Sequence, residues 1–531
     1  MTEPAPTKLL ADLSDREQQL VEAACHGNWL DCGEMDVGRL AASTARSRLV
    51  RAELIRELLL GRRGDLDPRG VRLARARIVG ELDLDMVHAV AGLWLNGCAI
   101  DKQIRAKCAT LPYLVIQASQ CAGIDAYGIR VNGPLLLWDG VRIAGSGERG
   151  TVDLTGAHIG ADFEMTDVEV ISPSGVALNA SNIRVEGGLY IRRGGRIAGR
   201  GVGGAINLTG AHIAGDVYLE DMEVSASGGP AVSASRIHID GLLFVRGGIR
   251  LIGDDEDGIV NLIRARVDGF GGGVVDLKVV AQPGAVLLNL WEMEVKTTMS
   301  LPPGLVCPDR GQGATCEHLR RVRLDGLSYA ALGQGTDWRE WLHLIRCHTP
   351  AYHASAYQSL AAVERAAGHD SNVRRILIAQ QDDLRRRSPD ALTGRLTRSF
   401  HWLWGLLAGY GYRARRTAAA LLLVFIVAGA MGWWAGQVNT RPGHHAAERV
   451  LPAGAGAAAS GVPCSSVELV GLGLDRGLPL ATTGVRGRCD LDTTSRRGQA
   501  FTVAIWGVQL AVWGLATLAL AGYTNLVRKT S

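Results

Sequence analysis

Between residues 70 and 300 apolar and polar positions alternate with a period of two, and the alternation repeats itself. "VDLTGAHIGADFEM" at 152–165 returns as "INLTGAHIAGDVYL" at 206–219, and segments 129–145, 183–199 and 237–253 keep the same 54-residue step. Each step splits into two related halves, for example Ile124-Ala126-Ile129-Val131-Gly133-Leu135-Leu137 and Leu178-Ala180-Ile183-Val185-Gly187-Leu189-Ile191. A period of two marks strands with one buried face. The central Gly marks a corner with unusual φ or a close backbone approach.

The anchors Val131, Ile159, Val185, Ile213, Ile239 and Val267 are spaced 28, 26, 28, 26 and 28 residues apart. Short strands and turns at so steady a step predict the stacked coils of a parallel β-helix, a mainly β solenoid over 67–300. With a rise of about 4.8 Å per coil, roughly eight or nine coils would make a rod about 40 Å long. The register slips before residue 124, and "GFGGG" at 269–273 interrupts it afterwards.

The flanks change period. Residues 1–66 read as an N-terminal helical cap for the open end of the stack, with Leu49, Ala52, Ile55 and Leu59 on one face and Gly61 as the stop. The N-terminus has no apolar core of a signal peptide. Residues 301–398 form a linker and a helical hairpin, with Tyr357, Leu360, Val363 and Ala367 on one face, Gly368 as the break, and Asp370 or Ser371 as the next cap. That hairpin is similar to one tetratricopeptide-type unit.

Residues 417–436 contain no charge and 501–523 only Gln509 as a strongly polar residue, which predicts two transmembrane helices. An amphipathic juxtamembrane segment precedes them at 399–416, with Phe400, Trp402, Leu403, Leu406 and Leu407 beside a basic end. Arg413, Arg415, Arg416, Arg528 and Lys529 flank the spans, which places both termini in the cytoplasm, 437–500 in an extracytoplasmic loop and 524–531 in a cytoplasmic tail. Arg385, Arg386, Arg387, Arg395 and Arg398 favour a bilayer with anionic headgroups as a partner.

Composition agrees with thin coils: 68 of 531 residues are Gly and aromatics are 5%. A net charge of +4 is too small to imply a nucleic-acid partner. Of ten Cys only Cys464 and Cys489 lie in the external loop, where oxidising conditions would join them as a disulfide.

"VRAELIRELLLG", "GVRLARARIVGELDL", the "LTGAHI" coils, "AYQSLAAVERAAGHDSNVRRILIAQQDDLRRR" and "GYGYRARR" together resemble a family of actinobacterial membrane-associated β-helix proteins, often labelled membrane-associated oxidoreductases. The coils are also similar to pentapeptide-repeat and bactofilin-like solenoids, without a strict five-residue period. The resemblance implies a β-helix followed by membrane helices. The oxidoreductase label comes with no catalytic motif, so it assigns no residue here.

Candidate chemistry is sparse. "GRGVGGA" (199–205), "GLGLDRG" (471–477) and "GFGGG" lack the strand and following helix of a dinucleotide site, and no Cys-x-x-Cys pair exists. His158 and His212 fall two coils apart, about 10 Å, too far to share one ion. Cys307, Cys316, Cys347 and His348, like Cys25, His26 and Cys32, match no common zinc spacing. Asp153, Asp162 and Asp167 recur as Asn207, Asp216 and Asp221, as turn residues would. No catalytic residue, cofactor site or metal ligand is therefore assigned. The reading is a membrane-anchored scaffold that binds a protein partner or a second copy of itself; the alternatives are an oligomeric two-helix channel or sensor, and an oxidoreductase by label only.

Overall fold

A computed structural model describes residues 9–271, 278–280, 284–301, 303–307, 320–388, 394–411, 414–450, 462–477 and 484–528. The chain divides into two compact units, Met1–Val373 and Arg374–Ser531.

The first unit opens with α1 (Asp15–His26), α2 (Val37–Ala41) and α3 (Ala52–Leu59). Ser14 and Glu17 form a reciprocal capping box on α1, and Gly27 ends it in the left-handed region. Burial pushes the Glu17 carboxyl up, but hydrogen bonds from the Arg51 side chain and from the Ser14 and Arg51 amides outweigh it and hold the group at about 2. At the end of α3, Gly61 donates to Leu58 and Arg62 to Glu57, the paired bonds of a Schellman stop. Leu49, expected on the face of that helix, belongs to a strand instead. Strands Trp29–Asp31 and Leu49–Arg51 pair parallel with Val71–Ala74 and Arg77–Val79, so the pairing starts well ahead of the region where periodicity is visible.

Parallel pairing then dominates, in a 25-stranded sheet and a ten-stranded sheet. The anchors meet in register: Val131 with Ile159, Val185, Ile213, Ile239, Val267 and Val295, each buried. Fully burying such a side chain stabilises by roughly 1.5–3 kcal/mol. The ladder also reaches back to Leu111 across a shorter step, which accounts for the irregular spacing before residue 124. The pairing continues past 269–273, because Arg266–Gly271 pairs with Glu294–Ser300 and that strand with Ser328–Leu332. Residues 272 and 273 of "GFGGG" lie outside the described residues.

In the ten-stranded sheet one position carries Asp153, Asn179, Asn207, Ser233, Asn261 and Asn289 in successive strands. The Oδ1 of Asp153, Asn179, Asn207 and Asn289 each accepts from the amide two residues on, which turns the chain out of its short strand. The next corner is left-handed in every repeat, at Met86, Cys108, Gly128, Gly156, Asn182, Gly210, Arg236, Arg264, Glu292 and Gly326. Non-glycine residues tolerate it because the corner amide is bonded to the next repeat, as Asn182 to Thr209 and Arg236 to Ile263. The Gly of the sequence pattern serves the other purpose: a Cβ at Gly133 would lie 2.8 Å from the Pro112 oxygen and one at Gly215 2.8 Å from the Gly187 oxygen.

After α4 (Pro303–Val306) the strand Arg321–Arg323 ends the smaller sheet. Helices α5 (Trp338–Cys347) and α6 (Ala354–Ala366) follow, with Ser359 donating to Leu327 and Trp341 edge-on to Tyr329. Helix α7 (Asp370–Arg387) starts at Asp370 itself, after Gly368 in the left-handed region.

The second unit holds α8 (Arg395–Ala408), α9 (Ala414–Gln437), α10 (Ser466–Gly477) and α11 (Arg496–Arg528). Arg416–Gln437 and Arg496–Leu520 are long and apolar enough to cross a membrane. The segment between them, expected as a loop, contains α10 and two antiparallel strand pairs. It packs on the ends of the long helices through Ala435, Ala447, Leu469, Leu472, Leu491 and Ile505.

Candidate functional site

Side chains pointing away from the buried ladders form rows of their own. On the larger sheet one row runs Trp29, Arg72, Trp94, Val115, Leu136, Glu164, Tyr190, Tyr218 and Phe244 in direct register. Leu189 and Ile191 point inward, so pleating turns Tyr190 outward; the same holds for Tyr218 between Val217 and Leu219. Tyr190 stacks on Tyr218 at 5.5 Å and Tyr218 on Phe244 at 4.7 Å. Guanidinium groups flank the rings: Arg192 lies 5.1 Å from Tyr190, Arg246 5.0 Å from Tyr218, and Arg72 5.5 Å from both Trp29 and Trp94. Glu164 binds Arg192 at 2.8 Å; burial raises its pKa, and the hydrogen bonds from Arg192 and Thr166 bring the net shift downward.

A second row is charged: Arg130, His158, Arg184, His212, His238, Arg266 and Glu294. His158 and His212 stand two repeats apart with Arg184 between them, and both are partly exposed. The neighbour that spacing did not point to is His238, next to His212. Asp240 accepts from His238 at 2.9 Å and from His212 at 3.1 Å, and the His238 bond leads in pulling its carboxyl below the ordinary range. These three side chains bond one another, and their ligand atoms lie within 4.8 Å of one another.

The acids weighed as a catalytic face serve the backbone. Asp162 accepts from Gly188, Asp216 from Leu242 and Asp221 from Gly248, while Asp167 and Asp221 occupy left-handed positions. Buried Cys98 and Cys121 have thiols pushed up to about 12, which leaves them protonated at neutral pH. "GRGVGGA" overlaps the end of a strand and the turn after it, and "GLGLDRG" lies on α10, which no strand directly precedes among the described residues. Neither has strand-turn-helix geometry.

No family model, curated protein or solved structure matches the chain.

Cys464 and Cys489 are joined, with their Cα atoms 6.3 Å apart. Cys25 is half-buried on α1 and Cys32 is buried; neither shares a metal-sized group with another ligand among the described residues. Cys307, however, converges with two imidazoles, His343 and His348, their ligand atoms all within 4.8 Å of one another. His343 carries no sequence signal because it sits 36 residues from Cys307, inside an ordinary amphipathic helix. Cys316 lies outside the described residues.

The helix before the first candidate span exposes Trp402 and Leu403 and turns His401 inward. Phe400, Leu406 and Leu407, expected on the same apolar face, have side chains outside the described residues. His401 bonds Gln381, and burial lowers its pKa. Tyr410 donates to Asp382 at 3.0 Å and is pushed up to about 12, first by burial.

Proposed function

We propose that the two parallel sheets are walls of one β-helix and that the chain is a non-catalytic, membrane-anchored scaffold. In this reading α9 and α11 span the bilayer, both termini and the β-helix face the cytoplasm, and the segment between the spans is extracytoplasmic. A disulfide at Cys464–Cys489 belongs in an oxidising compartment, which supports that orientation. The exposed Trp402 and Leu403 would lie at anionic headgroups with the basic segment around them.

The observation that carries the scaffold reading is the aromatic row Tyr190, Tyr218 and Phe244 with its arginine flanks. Stacked rings with flanking guanidinium groups at regular strand spacing have the composition of a protein contact centre. The occupant proposed is a second copy of the chain. Its test is the mass of the detergent-solubilised full chain. We expect an oligomer that shifts to monomer when Tyr218→Asp and Phe244→Asp are combined, with the far-UV spectrum unchanged. A monomeric natural chain, or an unchanged assembly in the double variant, refutes the platform.

A further inference from the structure

We propose that Cys307, His343 and His348 form a zinc site that fastens the last repeats to helix α5. The donors are a thiol and two imidazoles, a set that selects a borderline-soft divalent ion such as zinc. Cys307 follows α4, His343 lies on α5, and His348 is the residue at which α5 ends. Cys307 Sγ lies 3.8 Å from His343 Nε2, and the two imidazole centroids are 5.3 Å apart. A tetrahedral ion with bonds of about 2.3 Å to sulfur and 2.05 Å to nitrogen holds its donor atoms about 3.3–3.6 Å apart. A contraction of a few tenths of an ångström, to about 3.6 Å, would bring Cys307 and His343 to that spacing.

Two further observations point to a ligand rather than to casual packing. Cys307 is 4% and His348 1% exposed and His343 is partly exposed, so two of the three donors are shielded from water. His348 is also oriented in the manner of a metal ligand: its Nδ1 is 2.7 Å from the Arg320 carbonyl oxygen, which requires the proton on Nδ1 and leaves the lone pair on Nε2. The His348 carbonyl accepts from the Val322 amide at 2.8 Å, so the residue is clamped to the strand that ends the ten-stranded sheet.

An ion here would tie the chain after α4, helix α5 and that strand together. Three protein ligands leave one coordination position, which a further donor or water can take. The role that follows is closure of the end of the smaller sheet, where among the described residues no further strand pairs with Arg321–Arg323. Surface His212, His238 and Asp240 bind one another and form the natural control.

The test is the zinc content of the full chain, purified in detergent without chelators. We expect about one zinc per chain, lost in Cys307→Ala and in His343→Ala, and retained in His343→Cys, which substitutes one ligand for another. His212→Ala should leave the content unchanged. Replacement by cobalt should produce a thiolate-to-metal charge-transfer band that Cys307→Ser abolishes, which separates lost ligation from lost folding. A natural chain that holds neither metal, or a Cys307→Ala chain with its zinc intact, overturns the site.

Discussion

Large apolar side chains are buried along the ladders of the first unit but exposed along much of the two long helices of the second. In the first, Val131, Ile159, Val185, Ile213 and Ile239 are buried in a continuous ladder while arginines, histidines and acids face outward. In the second, Leu422 and Leu510 are 61% and 73% exposed, and the close contact between helices is made by small residues. Gly432 and Gly473 face one another across α9 and α10, where a Cβ would meet the carbonyl oxygens of Leu469 and Ala428. The difference is the one that the proposed placement of α9 and α11 in a bilayer would produce: in water an aliphatic interior stabilises a fold, whereas beside lipid it gives no advantage.

This contrast can be sharpened by deleting comparable side chains from the two units. Ile213→Ala should destabilise the first unit by about 2–5 kcal/mol in denaturant unfolding, because it leaves a cavity in the ladder. Leu510→Ala should change the unfolding of the second unit in detergent by no more than about 0.5 kcal/mol. Comparable losses would remove the distinction. A smaller effect is expected from filling a contact: Gly473→Val should cost about 1–3 kcal/mol by forcing α9 and α10 apart. Gly507→Val, on α11 with nothing within 4 Å, serves as its control in a thermal melt, where the two variants should separate clearly.

Most of the first unit is legible in the sequence because a side-chain period of two reports directly which face is buried. Every anchor from Val131 to Val267 pairs with the next, and the step of 26 or 28 residues is the length of one repeat. The strands at Trp29–Asp31 and Leu49–Arg51 escape notice because each has only three residues and α2 interrupts the pattern between them. The left-handed corner escapes for another reason: Met86, Cys108, Asn182, Arg236, Arg264 and Glu292 occupy it alongside Gly, so no residue type marks it. Helix α10 is hidden by its glycines, which read as loop until Gly473 is seen to be the contact with α9.

The candidate sites divide in the same way. The aromatic row follows from the alternation, since Tyr190, Tyr218 and Phe244 each sit between inward residues one repeat apart. The group at Cys307 does not, because spacing rules search for ligands that are near in sequence, whereas the end of the sheet stack brings residue 307 to residues 343 and 348.

The account rests on parallel repeats stacked in one register, and cysteine pairs on the outward charged row test it most directly. Arg184 and His212 are direct partners, at the spacing of about 4.8 Å between neighbouring strands, within reach of a disulfide. His158 and His212 are two steps apart, about 10 Å, beyond that reach. Mild oxidation should therefore join Arg184→Cys to His212→Cys in high yield and leave His158→Cys with His212→Cys unjoined, as read by peptide mapping. Equal yields, or bonding of the distant pair alone, would contradict the stacked register.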